Sequence, residues 1–500
     1  MIATTIGASF DGLLPIPVRV EVCATKGLPT FDIVGMGQVE VKEGKQRICA
    51  ALAASGIVLK NKKITVNLAP ADVRKSGVYL DVPIALTVMK LMGVAADVDV
   101  ENILSFGELS LDGSIHPVKG AFAIVEQLHQ EITVLIAPSA HVDVQSYFSD
   151  LKVIYVDHLH QLLAYLQNPK GYAAPPMPAS SDHKFTNPID FSSVRGHHQA
   201  KRMLTVAAAG KHHVMLAGPP GVGKTMLAKA FPSIMPNMNQ QALREVKTIY
   251  SASGLEGHLL GLQPPLRSPH HHATLPGMIG GGTRFRAGDF TLAHQGILFM
   301  DEFPEFRRDI IEALREPLEE GVVRVRRAKG LYQYPAKFML LAAMNLCPCG
   351  NLGDSTAECA CNQTDIMRYR KKLSRPIMDR IDVSLILPKM PWSKVWTPTE
   401  TETSSYIQNM VMQARDQQLK RWGKTKTNAM ASIDELKEKA MIHSQSLTYI
   451  QEIVDTKHYS VRSMVKVLRV ARTIADLQLH PTVEKRHIVE ALQYRMKEEL

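Results

Sequence analysis

The chain has no run approaching the roughly 20 apolar residues that cross a bilayer, so no membrane-spanning helix is expected. Its opening, MIATTIGASFDGLLPI, has neither a basic start nor a long apolar stretch, and no secretory signal is expected. Cysteine is scarce, six in 500 residues, and four of the six lie close together. That does not resemble a disulfide framework, and a cytoplasmic protein is the simpler expectation. No tandem repeat of about 20–50 residues is visible, which argues against a solenoid or propeller. What remains, with 45% hydrophobic and 21% charged residues, is a globular chain with ample core, long enough for three or four domains at about 150 residues each.

Charge is unevenly spread. Residues 1–170 hold 14 lysines and arginines against 17 acids, a balance of −3, whereas residues 171–500 hold 44 against 31, a balance of +13. A polyanionic partner such as DNA or RNA is therefore expected for the second part.

That part contains GPPGVGKT at 218–225, which fits the phosphate-loop pattern G-x-x-x-x-G-K-[ST] at every fixed position. An apolar run, Val214–Ala217, precedes it, and a helix-forming stretch from Met226 follows. Backbone N–H groups of such a turn surround phosphates. Gly218, Pro219, Pro220, Gly221, Val222, Gly223, Lys224 and Thr225 are thus the expected nucleotide-binding residues, with Lys224 on the β- and γ-phosphates and Thr225 on Mg²⁺. A second apolar run, GILFMDE at 296–302, delivers Asp301 and Glu302 to a strand end. Asp301 is expected to hold the Mg²⁺ water shell and Glu302 to polarise the attacking water. A third run, Phe338–Met344, ends in Asn345, whose amide is expected to orient that water.

Short β-rich runs alternate with helical segments over 1–167, and a Pro/Ser/Ala-rich linker is expected over 168–190. A parallel-sheet nucleotide-binding core follows over 191–389, then helical spacing over 390–500. The fold class expected is α/β and multidomain.

The order of phosphate loop, acidic strand, Asn-ending strand, LSRPIMDRID (373–382) and helical C-terminus resembles an AAA+ ATPase. AHQGILFMDEFPEF, REPLEEG, AAMNLCPCG and VLRVARTIADL narrow the resemblance to the magnesium-chelatase-like ComM/YifB family, across essentially the whole chain. GELSLDGSIHPVKG and NLAPADVRKSGVYLDVPIA also follow that family's pattern, where they form a Lon-protease-like α/β domain. The resemblance implies a hexamer with ATP between subunits, a P-loop core and a C-terminal α-helical lid, and in the competence-associated members a helicase for branch migration. It marks Arg380 as an arginine finger, with Arg375 the rival, and a surface pair of Arg380 with Asp379 or Asp382 is the bland alternative. It marks Arg462 as a sensor arginine, with Arg469 and Arg472 on the same helix.

Proteolysis is not expected. Aligned to the Lon nucleophile loop, Tyr79 stands at the serine position and Ile124 at the lysine position; Lys75, Ser76 and Lys119 miss the matched positions.

Between the acidic and Asn-ending strands, 321–338 reads as a hairpin around Ala328-Lys329-Gly330. Arg324, Arg326, Arg327 and Lys329 are its expected DNA contacts, and Tyr332 and Tyr334 are expected to stack on bases or sugars. Cys347-x-Cys349 and Cys359-x-Cys361 put four thiols in one short loop, suited to structural Zn²⁺ although C-x-C is tighter than the usual spacing; reduced or disulfide-linked cysteines are the alternative. The insertion at 254–288 is expected to form a pore or interface loop, and its adjacent His270, His271 and His272 are not expected to converge on one metal ion. A DNA motor leads; a chelatase-type remodeller of a protein partner and a protein unfoldase are the alternatives.

Overall fold

The structure is a computed structural model that describes residues 2–35, 37–59, 62–71, 75, 77–94, 98–173, 189–259, 261–282, 286–327, 330–354, 356–390, 402–423, 426–457 and 460–495. Ser76, Lys329 and most of the expected linker lie outside the described residues. The chain divides into two compact units, Met1–Lys184 with Arg244–Leu259, and Phe185–Leu243 with Leu260–Leu500.

The first unit is built on a sheet of β1 (Ile2–Asp11), β2 (Leu14–Lys26), β3 (Thr30–Val34), β4 (Lys62–Ala69), β5 (Ile103–Ser105), β8 (Val134–Ala137) and β9 (Lys152–Tyr155), in the order β3-β4-β2-β1-β5-β8-β9. A small ribbon, β6 (Glu108–Leu109) with β7 (Ile115–His116), stands apart from it. In β2 the buried Val18, Val20 and Val22 alternate with Arg19 and Glu21, the period-2 signature of a strand with one face in the core. Helices Gln38–Ala54 and Asp81–Leu91 contribute Ile48, Leu52, Val82 and Leu86 to that core. Asp81, 1% exposed, accepts from Arg47 Nε at 2.9 Å.

Tyr79 closes a short 3₁₀ turn and packs its ring 5.5 Å from that of Phe10, while Ile124 is fully buried on helix Ala121–Leu128. Lys75 is 2% exposed and donates to the Gly35 and Pro70 carbonyls. Residues 244–259, read from sequence as part of the nucleotide-binding core, cluster with this first unit. Arg244 donates to the Tyr147 carbonyl at 2.6 Å, and Lys247 sits 3.9 Å above the Tyr147 ring.

The second unit has an all-parallel sheet of β10 (Val214–Ala217), β11 (Leu266–Arg267), β12 (Ile297–Met300), β15 (Met339–Met344) and β16 (Val383–Ile386), ordered β11-β12-β15-β10-β16. Every residue of β10, β12 and β15 is buried, as expected of strands covered on both faces. All five strands run the same way, so Gly218, Asp301 and Asn345, each following its strand, emerge at one sheet edge. The basic ribbon β13 (Val322–Arg327) and β14 (Gly330–Pro335) pairs antiparallel. C-terminal helices Ser404–Trp422 and Val461–Leu477 share one apolar core with the sheet, through Val411, Val467 and Ile474. No described helix is long and apolar enough to cross a membrane.

Candidate functional site

The phosphate loop leaves β10 with Gly218 at φ 154 and enters helix Lys224–Ala230 with Gly223 at φ 91. Both values favour glycine, and a Cβ on Gly218 would lie 2.6 Å from the Leu387 carbonyl. Lys224 is 8% exposed, and its Nζ donates to the Gly218 carbonyl (2.7 Å), the Pro219 carbonyl (2.9 Å) and Asn345 Oδ1 (3.0 Å). Burial pulls its pKa below the ordinary lysine range, against the opposing pull of Asp301 and Glu302. Those three oxygens hold the ammonium at the mouth of the loop, where phosphate oxygens are stronger acceptors.

Thr225 Oγ1 donates to Asp301 Oδ2 at 2.6 Å, and Asp301 Oδ1 accepts the Glu302 N–H at 3.0 Å. A hydroxyl and a carboxylate in contact are the hard oxygen donors Mg²⁺ takes, so this pair fits that ion. Glu302 has φ 51, an uncommon left-handed backbone for a residue with a side chain. Its Oε2 lies 3.1 Å from His271 Nδ1. The fold thus gathers Lys224, Thr225, Asp301, Glu302 and Asn345.

Arg380 and Arg462 make no hydrogen bond or ion pair to those five among the described residues. Arg380 pairs with Glu319 and also donates to the Pro376 carbonyl. The bland expectation, a pair with Asp379 or Asp382, is corrected, because Asp382 turns inward and accepts the His213 N–H at 2.9 Å. Buried Lys466 grips the Asp379 and Ile381 carbonyls on either side of Arg380, and that burial lowers its pKa to about 8. Arg375 is exposed on the preceding short helix. Arg462 is exposed in the first turn of helix Val461–Leu477. Its rivals are engaged elsewhere: Arg469 Nε donates to the Ala431 carbonyl, and fully buried Arg472 donates to the Ala440, Pro481 and His480 carbonyls.

The ribbon puts Arg324 and Arg326 on the face opposite its tyrosines. Register pairs Val323 with Tyr334 and Val325 with Tyr332, so both tyrosines share the face of the buried valines. Arg324 and Arg326 occupy the exposed face. Tyr334, 6% exposed, is therefore no platform for bases. Arg324 is shared between Glu316 (2.7 Å) and Glu320 (2.6 Å), and Arg327 Nη2 donates to the Gly282 carbonyl at 2.6 Å.

In the cysteine loop, Sγ separations are 3.4 Å for Cys347–Cys349, 3.7 Å for Cys349–Cys359 and 3.6 Å for Cys347–Cys359; Cys361 Sγ lies within 4.8 Å of the others. A disulfide needs about 2.05 Å. A Zn²⁺ tetrahedron with bonds of about 2.3 Å has edges of about 3.8 Å, so the four thiols fit that ion. The same loop abuts the phosphate site: a Cβ on Gly350 would meet Pro220 at 3.2 Å and Asn345 Nδ2 at 3.7 Å.

Two placements were missed from sequence: His271 beside Glu302, and Gly350 against Pro220. Neither had a local signal: β11, Leu266-Arg267, is two residues long and only half-buried, so no apolar run marks its end.

Residues 190–395 match the family described as magnesium chelatase, subunit ChlI; residues 20–141 match subunit ChlI of Mg-chelatase, and 401–495 match its C-terminal region. The chain is similar to the uncharacterized protein YifB of Escherichia coli, 35% identical over 483 residues that cover 96% of this chain and 94% of the relative. It is similar to the competence protein ComM of Haemophilus influenzae, 34% identical over 486 residues, with coverage of 96% and 94%. A Mycobacterium tuberculosis protein of unknown role is 33% identical over 484 residues, with coverage of 96% and 95%.

Proposed function

The chain belongs to the magnesium-chelatase-like ComM/YifB family of AAA+ ATPases, and from that premise we propose that it is a hexameric ring motor that hydrolyses ATP to drive branch migration of DNA. The observation that carries the reading is the exposed arginine face of β13, on the ribbon that leads directly into the strand ending at Asn345. The ribbon's basic face supplies a track for phosphates, and Asn345 already contacts Lys224 at 3.0 Å. The net +13 of residues 171–500 supports the same partner.

In this mechanism Lys224 leaves its loop carbonyls for the β- and γ-phosphates, Glu302 takes the proton of the attacking water, and Asn345 orients that water. Mg²⁺, held through Thr225 and Asp301, would neutralise charge on the transferring phosphoryl group. Arg380 would complete the site of the neighbouring subunit, and Arg462 would report nucleotide from the lid at 390–500. The core would span 191–389. Residues 1–167 are read as a Lon-like scaffold without proteolysis: the half-buried phenol of Tyr79 and the buried aliphatic side chain of Ile124 take the positions matched to serine and lysine.

The test is purified full-length protein on a four-way junction. ATP turnover is expected to rise with single-stranded or branched DNA and to lose that stimulation steeply with added salt, as counterion release requires. Replacing Arg324, Arg326 and Arg327 together with alanine is expected to abolish stimulation while basal turnover persists. Turnover indifferent to DNA and salt would remove the motor reading and leave a nucleotide hydrolase.

The cysteine loop we read as a structural Zn²⁺ site. Metal analysis of the purified chain is expected to find about one zinc per protomer, lost in Cys349→Ser. Zinc-free protein that keeps full thermal stability would sink this assignment.

A further inference from the structure

The loop between Asn345 and helix Gln363–Arg370 carries four thiols of graded exposure. Cys347 is fully buried, and its Sγ accepts the Leu352 N–H at 3.3 Å. Cys349 is exposed, and Cys359 and Cys361 are half-buried. Asn351 Nδ2 donates to the Glu358 carbonyl at 3.3 Å and folds the loop back on itself. That fold brings Cys349 Sγ to 3.7 Å from Cys359 Sγ, ten residues further along the chain. The turn of the loop is tied down where Lys389 Nζ meets Asp354 Oδ2 at 3.1 Å.

The residue after Cys349 is Gly350, whose amide donates to the Cys347 carbonyl at 3.1 Å. Its backbone is left-handed, with φ 85, and a side chain there would crowd Pro220 and touch Asn345. Asn345 in turn accepts from Lys224 Nζ at 3.0 Å. A displacement at Cys349 therefore has a packed route to the lysine of the phosphate loop, two contacts long. Close-packed interiors transmit strain of this kind.

We propose that Cys349 and Cys359 form a reversible disulfide with hydrogen peroxide as the oxidant, and that the oxidised loop weakens nucleotide binding. This rests on the reading of Lys224 and Asn345 as part of the nucleotide site. Cys349 Sγ, the most exposed of the four sulfurs, attacks the peroxide as thiolate and the O–O bond breaks. One oxygen stays on the sulfur as sulfenic acid, and the other leaves as hydroxide that solvent protonates to water. Cys359 Sγ, also as thiolate, attacks that sulfur; the S–S bond forms, and the second oxygen leaves in the same way. Two electrons pass from the two sulfurs to one peroxide. A bond of about 2.05 Å replaces the 3.7 Å separation, and the contraction draws Gly350 away from Pro220 and Asn345. Two of the four ligands of a bound Zn²⁺ are removed in the same step. A dithiol reverses it by thiol–disulfide exchange.

The experiment uses the full chain with Cys23→Ala and Cys49→Ala, so that only the loop thiols remain. Peroxide-treated protein is mapped for disulfides by mass spectrometry, titrated with a fluorescent ATP analogue, then given dithiothreitol and Zn²⁺. A Cys349–Cys359 bond is expected, with analogue affinity weakened roughly 5- to 150-fold, the span of a coupling free energy. Reduction is expected to restore it. Cys361→Ser keeps the response, whereas Cys359→Ser loses it because the resolving thiol is gone. If the bond forms and affinity is unchanged, or if the loop goes to sulfinic acid without a disulfide, the proposal is overturned and the ATP reading stands. Reduced protein that fails to bind the analogue removes both. Reversible loss of affinity in protein that never held zinc supports the switch and sinks only the Zn²⁺ assignment.

Discussion

Glu302→Gln is expected to bind ATP as tightly as the wild type and to turn it over roughly 10²–10⁴-fold more slowly, the span lost with a general base. Glutamine keeps the shape and one acceptor oxygen, so the contact with His271 survives while the capacity to take a proton does not. Lys224→Ala is expected to fail earlier, at binding. Its ammonium is the cation that the fold buries at the loop, within 3.0 Å of Asn345 Oδ1. Fluorescent ATP-analogue titration beside phosphate-release kinetics separates the two: bound and stalled for Glu302→Gln, unbound for Lys224→Ala. A Glu302→Gln enzyme that keeps a tenth or more of wild-type turnover would remove the carboxylate from its role as base.

Arg380→Ala is expected to lose about 10³–10⁵ in kcat, the contribution of an arginine finger to phosphoryl transfer. Mixing it with Lys224→Ala is expected to restore part of the activity. In a mixed ring some interfaces combine an intact phosphate loop with an intact Arg380 from the neighbour. The side chain rests on Glu319 within its own chain, and its backbone is pinned between two carbonyls held by Lys466. Charge on an incoming γ-phosphate therefore has to draw it from an exposed carboxylate, and exposed pairs are weak, at about 0–1 kcal/mol. Mixtures that show no gain over either variant would return Arg380 to a surface pair with Glu319.

Sequence by itself determined the phosphate loop, the acidic strand end and the Asn-ending strand. Each is local: a few residues of fixed spacing carry their own strand, turn and chemistry, and parallel strands bring such ends to one edge. The apolar runs at 214–217, 297–300 and 339–344 were legible as buried strands because they are apolar without interruption.

Tertiary structure alone decided the rest, wherever the answer depends on which segments become neighbours. Cross-strand register sent Tyr332 and Tyr334 to the face opposite Arg324 and Arg326, since a period of two leaves each residue's face open until pairing sets it. Helical spacing placed Arg462, Arg469 and Arg472 on one helix, and only packing tied up the last two. The gathering of the four thiols within 4.8 Å, and the meeting of His271 with Glu302 through the β11–β12 register, join residues that no local pattern relates. Spacing along a chain specifies chemistry within a turn or a strand; contact across elements is written only in the sheet order and register that bring them together.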